Sequence, residues 1–216
     1  MELLDKPAKI QICQDDLDQK LLDHYLKQDF ITVDTETRGL LIQRDRLCLV
    51  QIASADNTIA LVRFTRNSAL PRTGKSNLRT LLEASNVLKV FHFARFDMAV
   101  LKYYLSAQVK PVWCTKIASK LARTYADRHG LRDLASDLLG VEIDKTNQMS
   151  DWAAEDLTES QLSYAANDVR LLMPIYKKMK VLLEREKLTP LADKLFAFLS
   201  TVVELDLGGW KGIFEH

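Results

Sequence analysis

Three short apolar segments lie close together near the beginning of the chain, and they limit its fold more than any other feature. They are FITVD at 30–34, RLCLVQIAS at 46–54 and TIALVRF at 58–64. Each is rich in β-branched residues, and turn-forming pairs such as Arg38-Gly39 and Asp56-Asn57 separate them, as expected for strands. Strands that follow one another so closely pair in the antiparallel sense. The sequence therefore predicts a β-meander here.

The pattern changes after residue 64. A polar loop at 65–76 precedes a helix that reaches about Ala84, and a further apolar strand follows at 87–93. Helical patterns then occupy most of the remaining chain, at 94–105, 115–123, 130–139, 158–184 and 190–205. The fourth of these helices opens with the capping box Thr158-Glu159-Ser160-Gln161. A meander followed by alternating strands and helices predicts the α/β class, with a mixed central β-sheet flanked by α-helices.

Charge and cysteine content narrow the functional class. Lys and Arg number 30 against 29 Asp and Glu, so the net charge of +1 lacks the gross basicity of a non-specific nucleic-acid binder. Cys13, Cys48 and Cys114 show no C-x-x-C spacing, which predicts free thiols in a reducing compartment. The N-terminus does not resemble a secretory signal, and the apolar stretch at 195–203 is too short to span a bilayer. We therefore expect a cytoplasmic protein that does not enter membranes.

Four acidic residues and one tyrosine stand at the ends of predicted strands or on predicted helices. Asp34 and Glu36 end an apolar strand, and at i and i+2 their side chains leave the same face. Asp97 falls in the first turns of a helix, while Tyr164 and Asp168 are four residues apart on one helix face. Each feature alone is ordinary, because helix N-termini favour Asp and charged pairs end many surface strands. Together the four carboxylates supply the oxygen ligands of a two-metal phosphoryl-transfer site.

At these residues the sequence resembles the DEDD exonuclease superfamily, and specifically its DEDDy branch. The motifs are VDTET at 33–37, FHFARFD at 91–97 and YAAND at 164–168, the last with Tyr where the sister branch has His. The stretch at 140–176 is similar to ribonuclease D, and the resemblance covers about residues 7–185. Ribonuclease D proteins commonly continue into helical nucleic-acid-binding domains, so the resemblance is to a short form without them.

The resemblance implies a ribonuclease H-like fold and the roles of the motif residues. It assigns Asp34, Glu36 and Asp168 to the first of two divalent ions, Mg²⁺ or Mn²⁺. Asp34 bridges to the second ion, which Asp97 holds. Tyr164 orients the attacking water, because an unperturbed pKa near 10 makes a phenol a poor base at neutral pH. The expected product is a 5′ mononucleotide.

The chain is expected to divide into two parts. Residues 1–188 are expected to form the exonuclease domain. Residues 189–216 form a strongly apolar helix and tail, which docks on that domain or forms a homodimer interface, since such a helix needs cover. The chain is thus expected to be a monomer or a homodimer.

Substrate contacts are expected close to the motifs. Leu40 corresponds to a leucine that wedges against the terminal base in related exonucleases, and a core leucine after a turn is an equal alternative. Thr37 belongs to the first motif, and Lys145 and Gln148 lie in a loop that leads to the third, where phosphates or the base are within reach.

Other polar and aromatic residues near the motifs have simpler interpretations. We interpret His92 as a satisfied core histidine and Trp152 as a packing residue. Arg95 and Arg170 either meet phosphate or lie on solvated helix faces.

The predicted function is a metal-dependent 3′ to 5′ exoribonuclease that trims single-stranded or frayed RNA 3′ ends, such as those of tRNA precursors. One alternative is a DNA exonuclease of repair or proofreading, because no signature in the sequence reads the ribose 2′-OH. Another is a catalytically silent RNA-binding module, against which the presence of all five motif residues argues.

Overall fold

The computed structural model describes residues 7–143, 150–210 and 212–213. Its centre is one six-stranded sheet. The strands in chain order are β1 (Lys9–Gln14), β2 (Phe30–Thr37), β3 (Leu47–Ala53), β4 (Thr58–Arg63), β5 (Leu88–Phe91) and β6 (Val112–Cys114). Their order across the sheet is β1-β4-β3-β2-β5-β6.

Both strand senses occur in the sheet. β3 pairs antiparallel with β2 and with β4, which confirms the predicted meander. β1 pairs parallel to β4, while β5 and β6 continue the sheet parallel to β2. The mixed sheet confirms the predicted α/β fold class.

Seven helices accompany the sheet in the described residues. They are α1 (Gln19–Tyr25), α2 (Asn77–Glu83), α3 (Ala94–Leu105), α4 (Thr115–Ala122), α5 (Leu131–Leu139), α6 (Glu159–Arg185) and α7 (Thr189–Leu207). The last five agree with the predicted helices to within two residues at each end. At the start of α6 the Thr158 hydroxyl accepts a hydrogen bond from the Gln161 backbone N–H, and the Gln161 side chain accepts one from the Thr158 N–H.

The buried apolar side chains form two clusters, one of which packs β3 and β4 against α6. Leu49 and Leu61 meet Val169 and Met173 in this cluster. Trp152, 3% exposed, belongs to it as well, which confirms its interpretation as a packing residue. The three cysteines are free and buried, as the sequence predicts.

Helix α7 packs on α3 and the edge of the sheet. The Phe196 ring lies 5.0 Å from that of Trp113 on β6, measured between centroids. Arg95 of α3 donates two hydrogen bonds of 2.6 Å to Asp206 of α7. The Arg95 guanidinium therefore contacts a carboxylate of α7. In the described part of the chain, we find no helix with both the length and the apolar character that a membrane crossing requires.

Candidate active site

Three carboxylates from β2 and α6 meet at one point. Asp34 and Glu36 lie on β2 and Asp168 on α6, and each offers an oxygen within 4.8 Å of the other two. A hydrogen bond joins β2 to α6 beside these carboxylates: the hydroxyl of Thr32 donates to the Val169 carbonyl over 2.7 Å. The alternation of side chains along β2 thus puts Asp34 and Glu36 on one face of the sheet, and the packing of α6 brings Asp168 to the same place.

A fourth carboxylate, that of Asp97 on α3, lies near these three. It lies in the first turn of that helix and is 3% exposed. Its Oδ1 accepts a 2.7 Å hydrogen bond from the hydroxyl of Thr35, which lies between the two acids of β2. Among the described residues, the group of three that can share one ion does not include Asp97.

Burial is the main cause of raised pKa values at all four carboxyl groups. The pKa of Asp34 is well above its ordinary value, and after burial the charge of Asp97 is the next cause. The pKa of Glu36 is also well above its ordinary value, and there the next cause is the charge of Asp168. Burial raises the pKa of Asp97 and of Asp168 to about 7, and a hydrogen bond from Tyr164 opposes the effect at Asp168. Such a cluster is unfavourable unless protons or cations neutralise it.

The donor set fits a hard divalent cation. Every group in the cluster offers carboxylate oxygen, the ligand type that Mg²⁺ and Mn²⁺ prefer. In addition, Oδ1 of Asp168 is buried and accepts no hydrogen bond from the described residues. A buried carboxylate oxygen without a partner is costly, and a coordinated cation would satisfy it.

Tyr164 stands one helical turn before Asp168. Burial raises the pKa of its phenol above the ordinary value, and the charges of Asp168 and Glu36 add to the effect. The phenol therefore stays protonated at neutral pH and acts there as a hydrogen-bond donor. Its ring centroid lies 6.1 Å from that of the buried Trp152, which limits the positions that the ring can take.

The loop after β2 presents Leu40 to solvent. Leu40 is 82% exposed, so the alternative of a core leucine is wrong. The Thr37 hydroxyl donates a 2.5 Å hydrogen bond to the Gly39 carbonyl, and Asp45 accepts one of 2.9 Å from the Leu41 N–H. Gly39 has no room for a side chain, because an added Cβ would lie 2.4 Å from Oδ2 of Asp45. The loop is thus held from within.

A cleft of about 410 Å³ adjoins the carboxylates, and some of its lining was not foreseen. Phe93 of the second motif lines it, and so do Lys116 and Arg132. Lys116 and Arg132 lie in the first turns of α4 and α5, where no motif marks them. The other predicted contacts, Lys145 and Gln148, lie outside the described residues.

His92 is half-buried and also lines the cleft, and its ring is hydrogen-bonded, as expected for a satisfied histidine. The Thr115 hydroxyl donates to the Phe91 carbonyl over 3.2 Å and lies 2.8 Å from Nδ1 of His92. Since the hydroxyl has a single proton, Nδ1 is the donor in the second bond. Burial lowers the pKa of His92 to about 3, so the ring is neutral.

Known proteins match the chain over most of its length. Residues 10–184 match the model of a 3′-5′ exonuclease family. A ribonuclease D of Gluconacetobacter diazotrophicus is 32% identical over 166 residues, which are 77% of this chain and 41% of that protein. The chain thus spans about two-fifths of the length of the curated relatives it matches.

Two solved structures of NrnC from Brucella melitensis match almost end to end, each with 44% identity. The one with bound Mg²⁺ has a TM-score of 0.87 and covers 96% of this chain and 99% of its own. The one bound to pGG has a TM-score of 0.88 and covers 97% and 100%. These structures share the fold described above.

Proposed function

The chain belongs to the 3′-5′ exonuclease family, and from this premise we propose that it is a metal-dependent 3′ to 5′ exoribonuclease of the ribonuclease D type. The observation that carries the proposal is the meeting of the carboxylates of Asp34, Glu36 and Asp168, in which the buried Oδ1 of Asp168 accepts no hydrogen bond from the described residues. The Mg²⁺-bound structure of NrnC, similar over nearly its whole length, supports it.

The side chains divide the work of hydrolysis among them. Asp34, Glu36 and Asp168 would hold one divalent ion, Mg²⁺ or Mn²⁺, and Asp34 and Asp97 would hold a second. When bound, such cations make water a nucleophile near neutral pH and stabilise the charge on the leaving 3′ oxygen. The protonated Tyr164 donates a hydrogen bond that orients the attacking water. The product is a 5′ mononucleotide.

For the substrate we propose single-stranded or frayed 3′ ends of RNA in the cytoplasm, tRNA precursors among them. The pGG-bound structure of NrnC supports a short nucleotide chain as the ligand of such a cleft. The exposed side chain of Leu40 lies in the loop after β2, close in sequence to Asp34 and Glu36, and wedges against the terminal base. Thr37, Lys145 and Gln148 remain predicted contacts.

A time course on matched 5′-labelled RNA and DNA tests the proposal. With Mg²⁺ we expect the RNA to shorten stepwise from its 3′ end, and we expect EDTA or Asp34→Asn to stop the shortening. Asp23→Asn is the matched control, because Asp23 lies on α1 and accepts a hydrogen bond from Gln19. Faster digestion of DNA would contradict the RNA preference. Binding without digestion would contradict the catalytic role.

A further inference from the structure

Phe93 has a backbone conformation that its residue type rarely adopts. Its φ and ψ angles are 63° and 44°, in the left-handed region, which is unfavourable for bulky side chains. It is the N-cap residue of α3, yet its side chain makes no capping hydrogen bond. Asn would suit both the backbone and the cap. The folding of α3 therefore does not explain the phenyl ring.

The position of the ring indicates a role in binding. Phe93 is 46% exposed and lines the same cleft as Asp34 and Asp168. Strained backbone positions persist where the side chain serves a binding or catalytic site. Nucleobases stack on aromatic rings whatever their sequence, because every base has a π face. An exposed phenyl ring beside a phosphodiester-cleaving cluster suits that interaction.

Lys116 brings a positive charge to the same ring. Its Nζ lies 4.2 Å from the centroid of the Phe93 ring, and it lines the same cleft. Within the described ranges Lys116 forms no ion pair with a carboxylate. An ammonium group in this setting is available to a phosphate oxygen, the commonest polar partner that nucleic acids offer to lysine.

We propose that Phe93 and Lys116 form a nucleotide subsite of the cleft, in which the ring stacks on a base of the substrate and the ammonium group pairs with a backbone phosphate. The subsite rests on the proposed exonuclease function, since it positions the chain that the carboxylate cluster cleaves. Lys116 covers one face of the Phe93 ring. The base either displaces Lys116 from that face or stacks on the opposite face. In both cases the ammonium group stays beside the phosphates.

Kinetics on short 5′-labelled oligoribonucleotides separate this role from a structural one. Phe93→Leu keeps an apolar side chain but loses the π face, and we expect its KM to rise roughly 5- to 150-fold, which corresponds to ~1–3 kcal/mol of stacking, with kcat almost unchanged. Phe93→Tyr keeps the ring and should restore the KM. Phe93→Asn should raise the KM as Phe93→Leu does, yet raise the Tm because it relieves the backbone.

Ser106 supplies the matched control for the backbone. It ends the same helix with φ 53°, also left-handed, and does not line the cleft. Ser106→Asn should therefore raise the Tm and leave the KM unchanged. If Phe93→Leu lowers the Tm while its KM stays at the wild-type value, the ring is a packing residue and the subsite is overturned.

Lys116 is tested by charge removal. Lys116→Gln should raise the KM and flatten the dependence of binding on salt by about one phosphate contact, and Lys116→Arg should keep both. Lys120, one turn further along α4, is the control for general electrostatics. Equal effects of Lys116→Gln and Lys120→Gln would remove Lys116 from the subsite.

A substrate with an abasic position tests stacking directly. Removal of the stacked base should weaken substrate binding by the wild type as much as the substitution Phe93→Leu does. It should weaken binding by Phe93→Leu little further, since both changes delete the same interaction. Additive effects at every position would overturn the subsite.

Binding of the same oligoribonucleotide is also measured by fluorescence anisotropy with Ca²⁺ replacing Mg²⁺. Loss of affinity in Phe93→Leu without turnover in any variant would support the subsite and overturn the exonuclease proposal alone.

Discussion

The hydroxyl of Thr35 donates a 2.7 Å hydrogen bond to Oδ1 of Asp97, a residue 62 positions later in the chain. The bond joins β2 to the first turn of α3 at the point where the carboxylates meet. It helps to determine which way the Asp97 carboxylate faces, together with the backbone N–H groups of Thr35 and Asp97. In the proposed metal site, Thr35 would therefore act through Asp97.

Replacement of Thr35 by Val should weaken metal-dependent activity. The substitution keeps the shape of the side chain but removes the donor, and loss of a partner that orients a ligand typically costs 10- to 100-fold in affinity or activity. We expect kcat to fall within that range and the Mg²⁺ requirement to rise, while Thr35→Ser restores both. Measurement of rate against Mg²⁺ concentration checks this, and an unchanged Mg²⁺ curve would show that Asp97 is oriented by other groups.

Asp34→Asn and Asp168→Asn should each abolish turnover and leave the fold intact. Loss of a ligand removes several kcal/mol of transition-state stabilisation, a rate loss of roughly 10³-fold or more. Without metal, each variant should also have a higher Tm than the metal-free wild type, because each substitution removes one of the buried charges that repel one another. Scanning calorimetry in EDTA measures this. A lower Tm would mean that the carboxylate has a structural partner.

The metal-free protein should lose stability as the pH rises from about 4 to about 7. The folded pKa values of Asp97 and Asp168 are about 7, above the unfolded value of about 3.9. In that window the folded chain keeps protons that the unfolded chain has lost, so the free energy of unfolding falls with rising pH. Mg²⁺ replaces these protons, and its effect on the Tm should grow from pH 5 to pH 8.

Thermal melts with Mg²⁺ and with EDTA across this range check the prediction. Asp168→Asn serves as the control, because it removes one of the four carboxyl groups with raised pKa values and should flatten the metal-free slope. An Mg²⁺ effect of equal size at pH 5 and pH 8 would contradict proton displacement at the cluster.

The parts of the site that follow from local geometry were predictable from sequence. Asp34 and Glu36 share a strand face because side chains alternate with period 2, and Tyr164 and Asp168 share a helix face because they stand four residues apart. The motifs then connect these pairs to Asp97. Their meeting in space needs the sheet order and the packing of α6, which the fold class supplies.

Strands β1 and β6 and the cleft residues Lys116 and Phe93 were missed, because the sequence carries no periodic pattern that marks them. β1 is an edge strand whose Ile10 and Ile12 are 46% and 54% exposed, so its apolar residues do not mark a buried face. β6 has three residues, too few to show alternation. Without β6 nothing indicates that Lys116, at the start of the next helix, reaches the cleft. The left-handed backbone of Phe93 is equally invisible, because Phe is a residue that rarely adopts it.

Tyr164→Phe should slow hydrolysis without loss of metal binding. The raised pKa keeps the phenol protonated, so its role is to donate a hydrogen bond, and misplacement of the attacking water costs up to about 100-fold. The Mg²⁺-induced rise in Tm should persist in the variant. The pH profile should keep its shape, since no titrating base is removed. A variant as fast as the wild type would leave Tyr164 with a packing role beside Trp152.

Leu40→Ala should raise the KM for RNA by roughly 5-fold, because a wedge against the terminal base loses about 1 kcal/mol of apolar contact when truncated. Leu41 is the matched control, as the next residue of the same loop and itself 57% exposed. Both side chains are largely solvated in the free protein, so neither truncation should change the Tm by more than a degree or two. If Leu41→Ala raises the KM as much as Leu40→Ala, the loop contributes general apolar surface, and the specific wedge is contradicted.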